Sequence, residues 1–327
     1  MRLEWRVRSN PLIWWWGFLT LVSGANIAFW CLLNHRFHEH HSSGYLGSTS
    51  GLGLMLLLSA AYVFGCAFRS FLPRADVQRI CLFDTWLSSV VVGRSVATLA
   101  EICFAAQWAI MLRELGELAG ADTAANASEA ILPLIVIAEC CSWYAVLTRN
   151  YLGNAIENSI WAVAFFIIGI GLSRLLPEFN GPVRLALIIA IAGIAGYLAF
   201  LVIIDVPMYL CRWRANVADG GRLLGLVEGL HDASTRWIVT HDFSHWKDEI
   251  AWMSLYFSAA VWASLALCVV YSLQHDLPRY RTETSVASYL PEAAQGGPAY
   301  PLRNSHYFAA SSIANCGLAS EARITNS

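Results

Sequence analysis

The stretch "PLIWWWGFLTLVSGANIAFWCLL", residues 11–33, contains no charged side chain over 23 consecutive positions. An α-helix rises about 1.5 Å per residue, so roughly twenty such residues cross the ~30 Å hydrocarbon core of a bilayer. The run is longer than the apolar region of a secretory signal peptide, which has about 7–15 residues. It therefore predicts a membrane-spanning helix at the start of the chain.

The composition extends this interpretation to most of the 327 residues. Hydrophobic residues make up 57% of the chain and charged residues 13%, with a mean hydropathy of +0.51. Soluble domains carry roughly twice that charged fraction, about 25%. The alternating segments of about ten residues that mark a β-barrel are missing. We predict an all-α, polytopic bundle of seven transmembrane helices, with spans at about 12–33, 50–71, 84–112, 130–149, 153–175, 184–211 and 250–273.

The distribution of lysine and arginine predicts how the bundle is oriented, because short cytoplasmic loops are enriched in both residues. With the N-terminus inside, the outer loops hold only Arg36, Arg113, Arg174 and Arg184. The inner segments then hold twelve cations, namely Arg2, Arg6, Arg8, Arg69, Arg74, Arg79, Arg149, Arg212, Arg214, Arg222, Arg236 and Lys247. We therefore expect the N-terminus inside and the C-terminus outside.

Two segments differ from the spans in composition. The inner 6–7 loop, 212–249, contains "RLLGLVEGLHD" (222–232), in which Leu223, Leu226, Val227 and Leu230 share one face of a helix. This pattern predicts a short helix in the headgroup region, or one packed on the inner surface of the bundle. Residues 1–275 form the transmembrane domain, and we expect the tail, 276–327, to be weakly ordered and extracytoplasmic because it shows little periodicity.

The third span carries two charges at depth. In "GRSVATLAEICFAAQW" (93–108), Arg94, Thr98, Glu101 and Trp108 share a helical face. A charged side chain near the bilayer centre costs at least ~2.5–3.5 kcal/mol on insertion scales, so both charges should face protein or water. Because Arg94 and Glu101 are two turns apart, we expect them not to bond directly unless both bend toward a shared partner.

Three further acids are predicted inside the membrane. Glu139 lies near the middle of the fourth span, and Glu157 lies within the first two turns of the fifth, in "NAIENSIWAVAFF" (154–166). Asp205 lies in the sixth span, and we expect it to pair with Arg94. Pro207, close by, frees the carbonyl oxygen of Ile203 from its helical hydrogen bond, which favours a kink.

Counting these charges gives the main functional prediction. One guanidinium, Arg94, faces four carboxyls: Glu101, Glu139, Glu157 and Asp205. Four ionised carboxylates cannot be buried cheaply with one cation, so some acids keep their protons, water reaches them, or a cation binds among them. A carboxylic acid held neutral in a dry site can donate or carry a proton. The alternative is an interhelical network with a structural role only.

Other polar and aromatic residues are candidates for supporting roles. We expect a substrate to contact Asn154, Asn158, Trp108, Trp161, Tyr209, Trp252 and Tyr256. His241 and His245 in "HDFSHWKDEIAWMSLYF" (241–257) have the i, i+4 spacing that lets two imidazoles share a metal ion on one helix. Two histidines make half a metal site, and membership of an ordinary interfacial belt is the alternative.

These residues leave three functional hypotheses. The first is a membrane-embedded enzyme with an inward-opening acidic site, in which Glu101 or Glu139 donates a proton to a lipid or isoprenoid substrate. The second is a proton- or cation-coupled transporter or channel, and the third is a sensory or assembly scaffold. Membrane lipids are expected partners, with a lipid-like or small cationic ligand. The net charge of −2 argues against nucleic acid, and no residue pattern identifies a cofactor.

Overall fold

The computed structural model describes residues 11–42 and 49–275, with side chains at 11–37 and 51–274. The tail, 276–327, for which weak order is expected, lies outside the described residues. Within them, seven helical stretches are long and apolar enough to cross a membrane: Pro11–Phe37, Gly51–Phe71, Val90–Ala119, Asp122–Thr148, Tyr151–Glu178, Gly181–Ala218 and Phe243–Gln274. The all-α bundle with seven long apolar helices is thus confirmed.

The helices of the described residues have the following bounds. The first half of the chain contains α1 (Pro11–Ser42), α2 (Thr49–Phe71), α3 (Val90–Ala119), α4 (Asp122–Ser128) and α5 (Ile131–Thr148). The second half contains α6 (Tyr151–Leu175), α7 (Gly181–Phe200), α8 (Val206–Ala218), α9 (Leu226–Thr235), α10 (Phe243–Leu255) and α11 (Val261–His275).

Some helices begin away from the predicted positions, and capping residues explain two of these shifts. Helix α3 begins at Val90 rather than at 84, because Thr85 caps a short 3₁₀ turn at Trp86–Ser88 by accepting a hydrogen bond from the Ser88 amide at 3.2 Å. Helix α10 begins at Phe243 rather than 250, where the Asp242 side chain accepts from the Ser244 amide at 3.0 Å. A side chain that accepts from an amide in the first turn stabilises the start of a helix.

Two long helices contain a π-helical segment. Leu201–Asp205 joins α7 to α8, and Tyr256–Ala260 joins α10 to α11. Pro207, which is predicted to kink the sixth span, is the second residue of α8 and directly follows the first of these segments. A π-helical turn inserts an extra residue into the helix and is often found at functional sites.

Small residues let the central helices approach each other closely. A Cβ added to Gly65 of α2 would lie 2.8 Å from the Cβ of Ala100 in α3, and one added to Gly153 of α6 would lie 2.7 Å from that of Ala145 in α5. Such contacts are typical of helices that pack without a hydrophobic driving force between them. They bring α3, α5 and α6 together, and these helices carry most of the predicted acids.

A three-stranded sheet ties two connections together at one end of the bundle. Strands β1 (Arg74–Ala75) and β2 (Ile80–Cys81) are antiparallel, and β2 pairs in parallel with β3 (Ile238–Val239). The sheet therefore links the connection between α2 and α3 to the segment between α9 and α10.

Helix α9 has an exposed apolar face. It begins at Leu226, so Leu223 precedes it, and the side chains of Leu226, Val227 and Leu230 are exposed. The packed face is formed by small or polar residues, and a Cβ on Gly229 would clash with the carbonyl oxygen of Leu147. Helix α9 therefore packs on the bundle through its small and polar residues, and its apolar side chains remain exposed.

Candidate functional site

Arg94 lies among three carboxyl groups from three helices. Its Nη2 atom donates to Glu139 Oε2 at 2.6 Å and to Glu101 Oε2 at 3.0 Å, and it lies 3.6 Å from Glu157 Oε1. The four side chains, which we call the acid cluster, belong to residues that are between 2% and 7% exposed. Arg94 bonds directly to Glu101, two turns away. Both side chains also approach Glu139 of α5, which is the shared partner that such a bond was expected to need.

A ring of neutral donors completes the acid cluster. Thr98 Oγ1 donates to Glu139 Oε2 at 2.6 Å and accepts from Trp143 Nε1 at 3.0 Å. Tyr256, the first residue of the second π-helical segment, donates its hydroxyl to Glu101 Oε1 at 2.8 Å. Asn154 Nδ2 donates to Glu157 Oε2 at 3.1 Å. Each acid thus accepts at least one hydrogen bond in addition to its contact with Arg94.

Several buried polar atoms in and beside the acid cluster have no hydrogen-bond partner. These are Arg94 Nε, Glu139 Oε1, Ser142 Oγ and Asn154 Oδ1. A buried polar atom without a partner loses its hydration without compensation, at a cost of about 1–3 kcal/mol. Glu139 Oε1 is the carboxyl oxygen among them, and it belongs to the most deeply buried of the three acids.

The three acids also have the spacing of a hard-cation site. One oxygen from each of Glu101, Glu139 and Glu157 lies within 4.8 Å of the others, and carboxylate oxygens suit Mg²⁺ or Ca²⁺. The Nη2 atom of Arg94 already contacts an oxygen of all three, so the guanidinium fills this space. One guanidinium among three carboxylates leaves two negative charges in excess, which protons can neutralise.

Asp205 is not a partner of Arg94, and that expectation is wrong. Its Oδ2 atom accepts a hydrogen bond from Asn158 Nδ2 at 2.5 Å, and it is not among the three carboxyls that pair with Arg94. Asp205 ends the first π-helical segment, on the side of α6 reached by Asn158 rather than by the neighbouring Glu157. Three of the four acids therefore surround Arg94, and the fourth, Asp205, is bonded to Asn158.

A second ionic network lies on the connection between α2 and α3. The Asp76 carboxylate pairs with Arg74 at 3.0 Å and with Arg69 at 3.6 Å. Arg79 Nη1 donates to the Asp76 carbonyl oxygen, and Arg79 Nε pairs with Asp232 of α9 at 2.9 Å. The bare Cα of Gly93, next to Arg94, makes room for the Arg74 guanidinium, which a Cβ would overlap.

The electrostatics of this network favour ionised Asp76. Burial alone would raise the pKa of the Asp76 carboxyl, but Arg74, Arg69, Arg94 and Arg79 together hold that pKa below its usual value. Burial lowers the pKa of the Arg74 guanidinium to about 10, against the pull of Asp76. The network therefore places fixed charges next to the acid cluster without adding another neutral acid.

The aromatic candidates fall into two groups. Trp108 and Trp161 both pack against Phe165, at ring-centroid distances of 6.1 and 5.7 Å, and Phe165 contacts Tyr197 at 5.0 Å. Beside these rings, α6 and α7 form an open apolar groove of about 360 Å³, lined by Phe166, Gly169, Ile170, Ser173, Arg174, Ile191, Ile194, Ala195 and Leu198.

The second group lies near α8 and α10. Tyr209 stacks on Tyr151 at 6.4 Å, with the Arg212 guanidinium 5.8 Å from its ring centroid. Trp252 donates to Glu249 Oε2 at 2.6 Å. Trp252 also packs on Tyr256 at 6.1 Å, and Tyr62 and Phe104 connect Tyr256 to Trp108 of the first group.

The two histidines do not share a helix. His241 precedes α10, and one of its ring nitrogens lies 3.0 Å from the Leu82 carbonyl oxygen. His245 lies inside α10, with Nδ1 3.6 Å from Asp242 Oδ2. The helical i, i+4 geometry on which the metal prediction rests is thus not formed, because the helix begins two residues after His241.

Ser142 and Trp143 are residues that the sequence reasoning missed. They follow Glu139 by three and four positions, so they share its face of α5, and this spacing was the available signal. Asp76 and Arg79 carried no comparable signal, because their contacts depend on how two loops meet.

Compared with known proteins, the chain matches no protein-family model, no curated protein and no solved structure. The fold and the acid cluster define a class of protein, a bundle of seven long apolar helices with a buried acidic site.

Proposed function

We propose that the chain is a multi-pass integral membrane protein with its N-terminus inside. Support comes from the seven apolar helices and from the side chains on their outer surfaces. In the most apolar stretch, Gly181–Ala218, only 17% of an 18-residue apolar segment is buried. Ile189, Val202 and Ile203 are largely exposed. Apolar patches of this extent are stabilised by lipid rather than by water.

We further propose that the acid cluster binds and releases a proton. The observation that carries this proposal is Glu139 Oε1, a buried carboxyl oxygen without a partner, in a group of three acids around one guanidinium. A dry site with two excess negative charges favours neutral acids. Glu139 is the proton donor, Arg94 fixes the positions of the acids, and Tyr256 holds Glu101.

The reaction we propose is general acid–base catalysis on a lipid or isoprenoid substrate. Trp161 follows Glu157 by one helical turn in α6 and packs on Phe165, which contacts Trp108 of α3 and Tyr197 of α7. An apolar chain held against these rings would therefore lie near the acid cluster. A neutral Glu139 would protonate an unsaturated or leaving group there, and the resulting carboxylate would be stabilised by Arg94 and Thr98.

Lipid analysis in heavy water tests this proposal. The purified chain, wild type or Glu139→Gln, is incubated in D₂O with a lipid extract, and the lipids are compared by mass spectrometry. A general acid transfers a solvent deuteron, so a product specific to the wild type should be heavier by one mass unit per transfer. Glu117→Gln, an exposed acid paired with Arg113 at 2.8 Å, is the matched control. Identical lipid profiles in wild type and Glu139→Gln would overturn the enzymatic proposal.

Proton-coupled transport is the second candidate, favoured by the two π-helical segments. Each contains a residue of the polar interior, Asp205 or Tyr256, and interrupts a long helix at that point. Interrupted helices are common where transporters bind ions. Proteoliposomes with an enclosed pH indicator should show proton flux that Glu139→Gln abolishes. If Glu139→Gln changes neither lipids nor flux, the scaffold hypothesis remains.

A further inference from the structure

A second set of buried polar side chains lies between α8 and α10. Glu249 is 5% exposed, and its two carboxyl oxygens accept from Gln78 Nε2 at 3.0 Å and Trp252 Nε1 at 2.6 Å. Arg212 Nη1 lies 3.5 Å from Glu249 Oε1, and its Nη2 lies 3.5 Å from Asp248 Oδ2. The Asp248 side chain is 60% exposed. This set therefore joins a surface carboxylate to a buried one.

Asp205 continues the set toward the acid cluster. It is 9% exposed and lies within electrostatic range of Glu249 and Arg212. It accepts a hydrogen bond from Asn158 of α6. Tyr209 of α8 lies within electrostatic range of Asp205, Glu249 and Glu157 alike. Polar groups thus run from exposed Asp248 to three buried acids, Glu249, Asp205 and Glu157.

We propose that Glu249 and Asp205 carry protons between the solution at the α8–α10 end of the bundle and Glu157 of the acid cluster. The inference rests on the proposed function, since it requires that the cluster exchange protons. At each step the O–H bond of a carboxyl group breaks as a new O–H bond forms on the next carboxylate. A water molecule bridges carboxyls that are not in contact. No electrons are transferred.

The pairing pattern favours a route over a purely structural network. Asp205 bonds to the neutral amide of Asn158, although the cationic Arg212 lies within electrostatic range. Of the two carboxyls on the route, Asp205 therefore has a neutral hydrogen-bond partner, whereas Glu249 lies 3.5 Å from Arg212. The charged and titratable groups that surround the route are Glu157 and Tyr151 of α6, Tyr197 of α7, Tyr209 and Arg212 of α8, and Asp248 of α10.

Time-resolved infrared spectroscopy on the full chain in lipid nanodiscs tests the route. A light-released proton from a caged compound starts the reaction, and the C=O stretch of protonated carboxyl groups follows uptake by the cluster. Glu249→Gln and Asp205→Asn should each slow proton uptake at least about tenfold. The part of the C=O band that belongs to the acid cluster should stay unchanged at equilibrium. Glu117→Gln, at the opposite end of the bundle, should behave as wild type.

The two proposals fail in distinguishable ways. Wild-type uptake rates in both Glu249→Gln and Asp205→Asn would overturn the route and leave proton binding by the cluster intact. The proposed function itself would be overturned if the wild-type chain showed no titrating carboxyl band, or only a band that remains in Glu139→Gln. If one variant does not fold, the other decides alone, because each removes a separate step.

Discussion

Arg94 and Glu139 touch each other at 2.6 Å, yet their removal has opposite electrostatic consequences. Without Arg94, three buried carboxyls lose their only cation in direct contact among the described residues. Without the Glu139 carboxyl, Arg94 keeps Glu101 and Glu157 as partners. The same ion pair is therefore expected to respond asymmetrically to mutation of its two partners.

Arg94→Leu should lower the free energy of unfolding by about 3–5 kcal/mol, as expected when one partner of a buried ion pair is removed. Glu139→Gln should change it by less than about 1 kcal/mol, because the amide keeps the shape of the carboxyl and Arg94 retains Glu101 and Glu157 as partners. Thermal unfolding in detergent measures both. Equal losses in the two variants would contradict the charge excess on which the acid cluster is argued.

Asp76 gives a pH-dependent prediction at the same scale. Its folded pKa lies below the unfolded value of about 3.9, so its ion pairs stabilise the protein above that pH and are lost as the pH falls through the folded pKa. Asp76→Asn should therefore cost about 1–3 kcal/mol at pH 7, and the difference from wild type should shrink below about pH 4. Asp248→Asn, at an exposed position, is the control, and unfolding at a series of pH values is the measurement.

At the scale of helices, the contact between α2 and α3 sets the position of Arg94 and Glu101. Gly65→Val would force side-chain atoms into Ala100, whose Cβ would lie 2.8 Å from the new Cβ. Overpacking of this kind costs about 1–3 kcal/mol. It should also shift α3 enough to reduce activity of the acid cluster.

Gly17→Ala serves as the matched control, because a Cβ there meets nothing within 4 Å. Thermal unfolding of the two variants, measured side by side, separates close packing from the general effect of replacing glycine in a helix. Equal unfolding temperatures for Gly65→Val and wild type would show that α2 and α3 can separate without cost.

At the scale of the whole molecule, the orientation can be tested directly. With the N-terminus inside, the connection at residue 180 faces outward and the connection at residue 219 faces inward. Alkaline phosphatase, which folds only outside the bacterial cytoplasm, should be active when fused after residue 180 and inactive when fused after residue 219. The reverse pattern would invert the bundle and the direction of the proton route.

The helices were predictable from the sequence because length and apolar character are local properties. The acids of the cluster were also predictable, since each is a charge inside an apolar run. The partner of Asp205 was not, because α6 and α8 meet through Asn158 at an angle that no single-chain periodicity encodes. A helix begins away from its predicted start where a side chain such as Asp242 caps it before the apolar run begins.

The pairing of β2 with β3 has a consequence for biosynthesis. Ribosomes deliver the chain from its N-terminus, so Arg94 and all three acids around it are synthesised before Ile238 and Val239. The strand pairing and the bond from Arg79 to Asp232 can form only afterwards. A nascent chain halted before α9 would thus contain every residue of the acid cluster but lack β3 and Asp232, and translation itself would set the moment at which these contacts form.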